Sequence, residues 1–288
     1  MEQTQTAMFH AGALRQKYLE NTFWYILLIL MSVVTVLPFL WIILTAFKGP
    51  NDAIQSYPPQ LIPHDPTLAN FTRVWNLLPV GHFFLNSITV AVVTTVLNVL
   101  ITSLAAYPLA KMRFPGRDLI FYALLVTLIV PAQLTYIPSF VLAVNFFHYY
   151  DKIISLILPN IASVFNIFLL RQAFKSVPND LMDAGRMDGA SELRIWWSIV
   201  MPVIRPSLAT AAIFTFVNAW NDFLWPSLML PTMEHKTLQV GLMALQGAFQ
   251  SDFRGVAAGV TMTVIPIIIF FVALQRQFIR GLTGAVKG

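Results

Sequence analysis

Six separate apolar runs, each long enough to cross a bilayer, constrain this chain more than any other feature. They fall at 23–47, 84–110, 119–144, 153–170, 203–230 and 256–278. A helix needs roughly 20 apolar residues to cross the hydrocarbon of a membrane. No water is available there, so each run must close its own backbone hydrogen bonds as a helix. Only 11% of the 288 residues are charged, against roughly 25% in a soluble domain, and the mean hydropathy is +0.69. The one acidic residue inside the runs is Asp222, and the basic ones, Arg205 and Arg276, lie near run boundaries. Prolines at 38, 131, 138, 159, 226 and 266 do not argue against helices, because neighbouring groups re-satisfy the freed carbonyls. The expectation is an all-α integral membrane protein with six transmembrane helices.

The basic residues assign the sides. Arg15, Lys17, Lys111, Arg113, Arg117, Arg171, Lys175, Arg186, Arg194, Arg205, Arg276, Arg280 and Lys287 fall in one alternating set of termini and loops, 13 of the 18 Lys and Arg. Lys48, Arg73, Lys152, Lys236 and Arg254 fall in the other. An excess of Lys and Arg marks the cytoplasmic side, so both termini are expected in the cytoplasm of a multi-pass cell-membrane (inner-membrane) protein. The formal charge of +5 sorts by membrane side and forms no nucleic-acid patch. Without cysteine there is neither a disulfide framework nor a thiolate metal site. Residues 1–22 read as a cytoplasmic segment, and the first run as an uncleaved anchor and not a secretory signal. The outer loop 48–83 carries Pro50, Pro58, Pro59, Pro63 and Pro66, which predicts an extended covering segment. The five later spans and the inner loop 171–205 form a core over 84–278, followed by a tail at 279–288.

The inner loop 171–205 has helix signals of its own. Pro178-Asn179-Asp180 predicts a start, Gly189 a break, and Ser191-Glu192 a second short helix running to Ile199 and stopped by Pro202 and Pro206. Leu181, Ala184 and Met187-Asp188 fall at spacings of three to four, giving a narrow mixed face. One reading is an amphipathic helix on the headgroups with Trp196 and Trp197 as anchors. Against it stand Asp180, Asp183, Asp188 and Glu192, which suit a groove in a protein partner better than anionic lipid.

The run Asp183-Ala184-Gly185-Arg186-Met187-Asp188-Gly189-Ala190, followed by Ile199, Pro202 and Pro206, resembles the EAA loop of ABC importer permeases. Asp183 stands where Glu is usual and Gly185 where the second Ala is usual; the glycine predicts a helix looser by up to ~1 kcal/mol. Trp220-Asn221-Asp222-Phe223-Leu224-Trp225-Pro226 resembles the fifth-span signature of the carbohydrate-type permeases. The ending at 281–288 is similar to the tail of the maltose-type second permease. The resemblance, from residue 84 to the end, implies a type I importer permease fold whose coupling helix docks into an ATPase. It also implies a heterodimer with a second homologous permease, two ATPase subunits or domains that bind ATP and Mg, and an extracytoplasmic solute-binding protein. The tail would reach the ATPase interface, and the outer loop at 242–249 would contact the binding protein.

Asp222 is the first candidate for the solute path, since an ionisable group inside a span is a functional candidate by default. On one continuous helix Asn218, Asn221, Asp222 and Trp225 share a face, offering amides and a carboxylate for hydroxyls and a ring for a sugar's C–H face. The plainer reading has Asp222 fixing packing or a gate. Gln133, Tyr136 and Ser139 in the third span, and Asn160, Ser163 and Asn166-Ile167 in the fourth, extend the set, although single polar residues in spans more often bind helix to helix. No Lys or Arg stands among them, which favours a neutral polyhydroxylated solute, a sugar or glycosylated polyol, over a glycerol-3-phosphate-type ester.

Catalysis is not expected. No Gly-x-x-x-x-Gly-Lys-Ser/Thr run is present, and His10, His64, His82, His148 and His235 show no metal-ligand spacing. A secondary transporter or channel would show several intramembrane ionisable groups or repeated halves, and a lone Asp222 does not fit that class.

Overall fold

The structure, a computed structural model, describes residues 2–54, 56–57, 60–248 and 253–285. Pro58 and Pro59 of the outer loop, Phe249, and the tail residues 286–288 lie outside the described residues, as do the side chains that the tail's expected ATPase contact would use. All regular structure among the described residues is helical. Three helices are long and apolar enough to cross a membrane unbroken, and three bent pairs bring the number to six if each pair is one span.

The chain divides into two compact units. The first comprises residues 1–73 and 249–261. It holds α1 (Glu2–Ala46), whose apolar span Glu20–Ala46 leaves its side chains from Phe23 to Leu40 largely exposed. The loop after α1 departs from the expected extended cover. Lys48 is buried, its Nζ donating to the carbonyls of Ala53 and Gln60, and Asn70 donates to the carbonyls of Ala46 and Lys48. The loop is therefore pinned from inside by a cation and an amide, and it ends in a helix, α2 (Ala69–Leu77).

The second unit comprises residues 74–248 and 262–288. Its centre is α3 (Val80–Lys111), which buries Thr94, Asn98, Thr102 and Ser103 among apolar neighbours. The third expected span is two helices, α4 (Arg117–Thr127) and α5 (Ala132–Phe146), bent by 92°. Pro131 supplies the reason, since a proline disfavours helical geometry in the residue before it. The fourth span is likewise broken, α6 (Ile154–Asn160) meeting α7 (Val164–Lys175) at 44° after Pro159, and it runs on past Leu170. Arg171, expected in the loop, thus sits inside α7. It is buried, with its guanidinium 3.7 Å above the Phe121 ring and bonded to the Leu109 carbonyl and Asp118.

The inner loop forms α8 (Asn179–Met187) and α9 (Glu192–Val203). Pro202 does not stop α9. The chain turns at Ile204 by 86° into α10 (Arg205–Asn221), where Pro206 occupies the first turn and its missing N–H leaves no bond unmade. The fifth span departs most from expectation. Helix α10 ends at Asn221, Asp222 is extended (φ −64°, ψ 124°), and a separate α11 (Leu224–Met229) follows. Two short helices, α12 (Leu238–Gly241) and α13 (Met243–Ala248), lie where a loop was expected, and α14 (Phe253–Ala285) runs through Pro266.

Candidate functional site

Helices α3, α7 and α10 meet around one polar cluster. The Asn166 Nδ2 donates to Asn98 Oδ1 at 2.7 Å and to Thr215 Oγ1 at 2.8 Å, and Asn98 Nδ2 donates to the Asn160 carbonyl at 2.7 Å. All three side chains are buried. Burying an amide without partners costs free energy in an apolar interior, so each amide here is bonded to another helix or to the chain at a helix break. Two atoms stay unmatched: the Oδ1 of Asn166 and the Oγ1 of Thr94, both buried without a hydrogen-bond partner.

Beside this cluster lies a cavity of ≈ 720 Å³. It is walled by Thr94, Asn98, Ala132, Tyr136, Asn160, Ser163, Phe165, Asn166, Phe214, Thr215, Asn218, Ala219, Asn221 and Asp222. Of the residues expected along the solute path, Asn218, Asn221, Asp222, Tyr136, Asn160, Ser163 and Asn166 meet there. Gln133, Ser139, Ile167 and Trp225 do not line it; Gln133 is exposed and Ile167 belongs to the apolar core. Trp225 is corrected by the helix break, which removes it from the face of Asn218 and Asn221. Its indole is buried, donating Nε1–H to the Ser155 carbonyl at 2.9 Å and packing 5.8 Å from the Tyr136 ring. The aromatic wall is instead Phe165 and Phe214, edge to face at 5.4 Å. Phe214, Asn218 and Asn221 are spaced i, i+4 and i+7 on α10, a helical stripe that was legible in the sequence. Thr94, Asn98 and Thr215 gave no such signal, being single polar residues in long apolar helices.

The Asp222 carboxylate has the backbone N–H groups of Leu224 and Trp225 beside it. Asp222 thus stands just before the short helix that follows the break, and it lines the cavity.

At the inner loop, α8 ends in a hydrogen-bonded stop. The Ala190 N–H reaches the Gly185 carbonyl at 2.9 Å and the Gly189 N–H reaches Arg186 at 3.0 Å, with Gly189 left-handed at φ +78°. This is the Schellman arrangement, which satisfies the last carbonyls of a helix. Met182 and Gly185 face inward. A methyl on Gly185 would meet the end of the Ile199 side chain, Cδ1, at 2.7 Å, so α8 lies close on α9 at the glycine. Leu181 and Met187 are 43% and 89% exposed, and Ala184 and Asp188 are exposed with them, so the mixed face has no partner among the described residues. Of the two tryptophans, Trp196 belongs to the core and Trp197 is exposed. Arg186 bonds Glu192 and Asp183, both at 2.7 Å. The guanidinium holds the Glu192 carboxylate below its ordinary range, against the opposing effect of desolvation. The same bonds push Arg186 upward.

A third polar cluster joins the connection before α6 to the one after α11. Asp151 accepts from Thr232 Oγ1 at 2.6 Å and pairs with His235 Nδ1 at 3.1 Å. Desolvation works to raise the Asp151 carboxyl, but the bonds from Thr232 and His235 outweigh it and hold the group low. Among the described residues no three of His, Asp and Glu gather as a metal site.

Helices that span a membrane, a polar cavity among three of them and an unpartnered helical knob at a loop define a multi-pass membrane transport subunit. Residues 98–284 match the family described as binding-protein-dependent transport system inner membrane component, and the chain belongs to that family. It is 34% identical to the arabinooligosaccharides transport system permease protein AraQ of Halalkalibacterium halodurans, over 90% of this chain and 93% of that protein. It is 32% identical to the diacetylchitobiose uptake system permease protein NgcG of Streptomyces coelicolor, over 87% and 83%. It is 30% identical to the sn-glycerol-3-phosphate transport system permease protein UgpE of Shigella flexneri, over 90% and 95%. A crystal structure of a bacterial ABC transporter involved in the import of the acidic polysaccharide alginate is similar at a TM-score of 0.77 and 25% identity, covering 88% of this chain and 94% of that one. The chain is thus a permease subunit of a binding-protein-dependent importer, a component that translocates and does not itself hydrolyse ATP.

Proposed function

We propose that this permease carries a neutral polyhydroxylated solute, a sugar or glycosylated polyol, by alternating access driven through the α8 knob. The observation that carries the reading is the chemistry of the cavity wall. Amides and hydroxyls supply donors and acceptors in both senses, Phe165 and Phe214 supply apolar plates, and no Lys, Arg or His is among the residues lining it. A hydroxyl donates and accepts, whereas a phosphate accepts only and calls for cations. The oligosaccharide names of two of the relatives support the same class.

ATP and Mg bind partner ATPase subunits. Their closure moves the knob at 183–190, the helices that bear it reorient, and the cavity opens outward to receive solute from an extracytoplasmic binding protein. A second homologous permease completes the path, and both termini lie in the cytoplasm. The exposed Leu181 and Met187 beside Asp183 and Asp188 suit a groove of mixed character in the ATPase.

The test is ATPase activity of the reconstituted importer with its binding protein, screened against neutral sugars, polyol glycosides and glycerol phosphates. Stimulation by a neutral sugar is expected. Stimulation by a phosphate ester alone would overturn the solute class, and failure to recover any associated ATPase would overturn the drive.

A further inference from the structure

The hydroxyl of Tyr107 belongs to neither the cavity nor the exposed face of the knob, yet it is buried and committed. Tyr107 is 2% exposed, its ring 5.8 Å from Phe174, edge to face. Its hydroxyl donates to Glu192 Oε2 at 2.7 Å. The other oxygen of the same carboxylate accepts from Arg186 Nε at 2.7 Å, and Arg186 Nη1 reaches Asp183 Oδ1 at 2.7 Å. One unbroken chain of polar contacts therefore joins α3, α9 and α8. Ring packing alone would be met by phenylalanine, so the hydroxyl is present for the carboxylate.

A second contact fixes the other end of the knob. Lys111, also on α3, donates to the Val177 carbonyl and to Asn179 Oδ1, at the start of α8. Held at one end only, α8 would pivot when pushed. Held at both, it moves with α3. That helix carries Asn98, nine residues from Tyr107 and so about 14 Å along its axis, and Asn98 anchors the cluster beside the cavity.

We propose that Tyr107 is a positioning residue that locks the α8 knob to α3 through Glu192 and Arg186, so that displacement of the knob reaches the cavity. The proposal rests on the reading that an ATPase docks on the exposed face of α8. The exposed ion pair of Arg186 with Asp183 is screened by water and adds little by itself. The bond from a buried hydroxyl to an ionised carboxylate is of the stronger kind.

The measurement is solute transported per ATP hydrolysed in the complete reconstituted importer, for Tyr107→Phe, Glu192→Gln and the double variant. Tyr107→Phe keeps the ring and its packing, so assembly and basal ATPase activity should equal those of the parent. Transport per ATP is expected to fall about tenfold, the factor set by losing one charge-assisted bond. Glu192→Gln tests the link from its exposed side should Tyr107→Phe fail to assemble. The double variant should be no worse than either single one. Unchanged transport per ATP, lowered thermal stability with intact coupling, or losses that multiply in the double variant would each overturn the lock. Failure of the docking reading is separately visible: Met187→Glu, on the exposed face, would then leave ATPase association untouched.

Discussion

At the scale of single residues, Asp222 shows how a functional candidate and a structural group coincide. An acid inside an apolar run was the clearest polar signal in the chain, but Asp222 stands at a helix break, its carboxylate beside the N–H groups of Leu224 and Trp225 at the start of the next helix. Losing a side-chain acceptor at a helix start costs about 1 kcal/mol. Asp222→Ala is therefore expected to lower thermal stability, while Asp222→Asn, which keeps an acceptor at the same reach, should hold both stability and uptake near the parent's. A large rise in the KM for solute in Asp222→Asn at unchanged stability would instead make the carboxylate a ligand. Trp225 carries the opposite lesson. Its place in the signature run was legible, whereas its removal from the cavity followed from a two-residue break no periodicity announces.

At the scale of elements, the knob is the part read most completely from sequence. Its start at Asn179, its stop before Gly189 and its second helix after Ser191 all stand where composition placed them. Short-range rules decide such features: a proline at the start, and a left-handed glycine at the end. Gly189 has φ +78° and nothing within 4 Å of where a Cβ would stand. Gly189→Ala should cost about 1 kcal/mol through backbone strain alone and leave uptake coupled to hydrolysis. Gly189→Trp adds bulk that points away from this chain's own core, so it should uncouple ATP hydrolysis from uptake while membrane insertion is kept. Comparing uptake per ATP in the two variants separates strain from obstruction, and normal coupling in the tryptophan variant would count against docking. The packing of Gly185 on Ile199 was not legible, because the partner lies across a turn and no local pattern encodes the approach.

At the scale of the whole molecule, the Lys and Arg sorting predicts the orientation of the chain. The absence of cysteine makes the test clean, since a single introduced thiol is then the only one. Glu234→Cys, in an exposed outer connection, should react with an impermeant maleimide on intact cells. Arg113→Cys, exposed in the connection after α3, should react only once the membrane is opened. The reverse pattern would invert the topology. Six apolar runs and their order follow from the sequence by itself, because bilayer thickness and backbone hydrogen bonding act on local composition, and the side of each loop is what the basic residues predict. Where the spans bend by 92°, 44° and 86°, which amides meet at Asn98, Asn166 and Thr215, and which ring faces the cavity were decided only by tertiary structure. Those depend on contacts between residues far apart in the chain, where a single buried amide is satisfied only by another helix brought within about 3 Å.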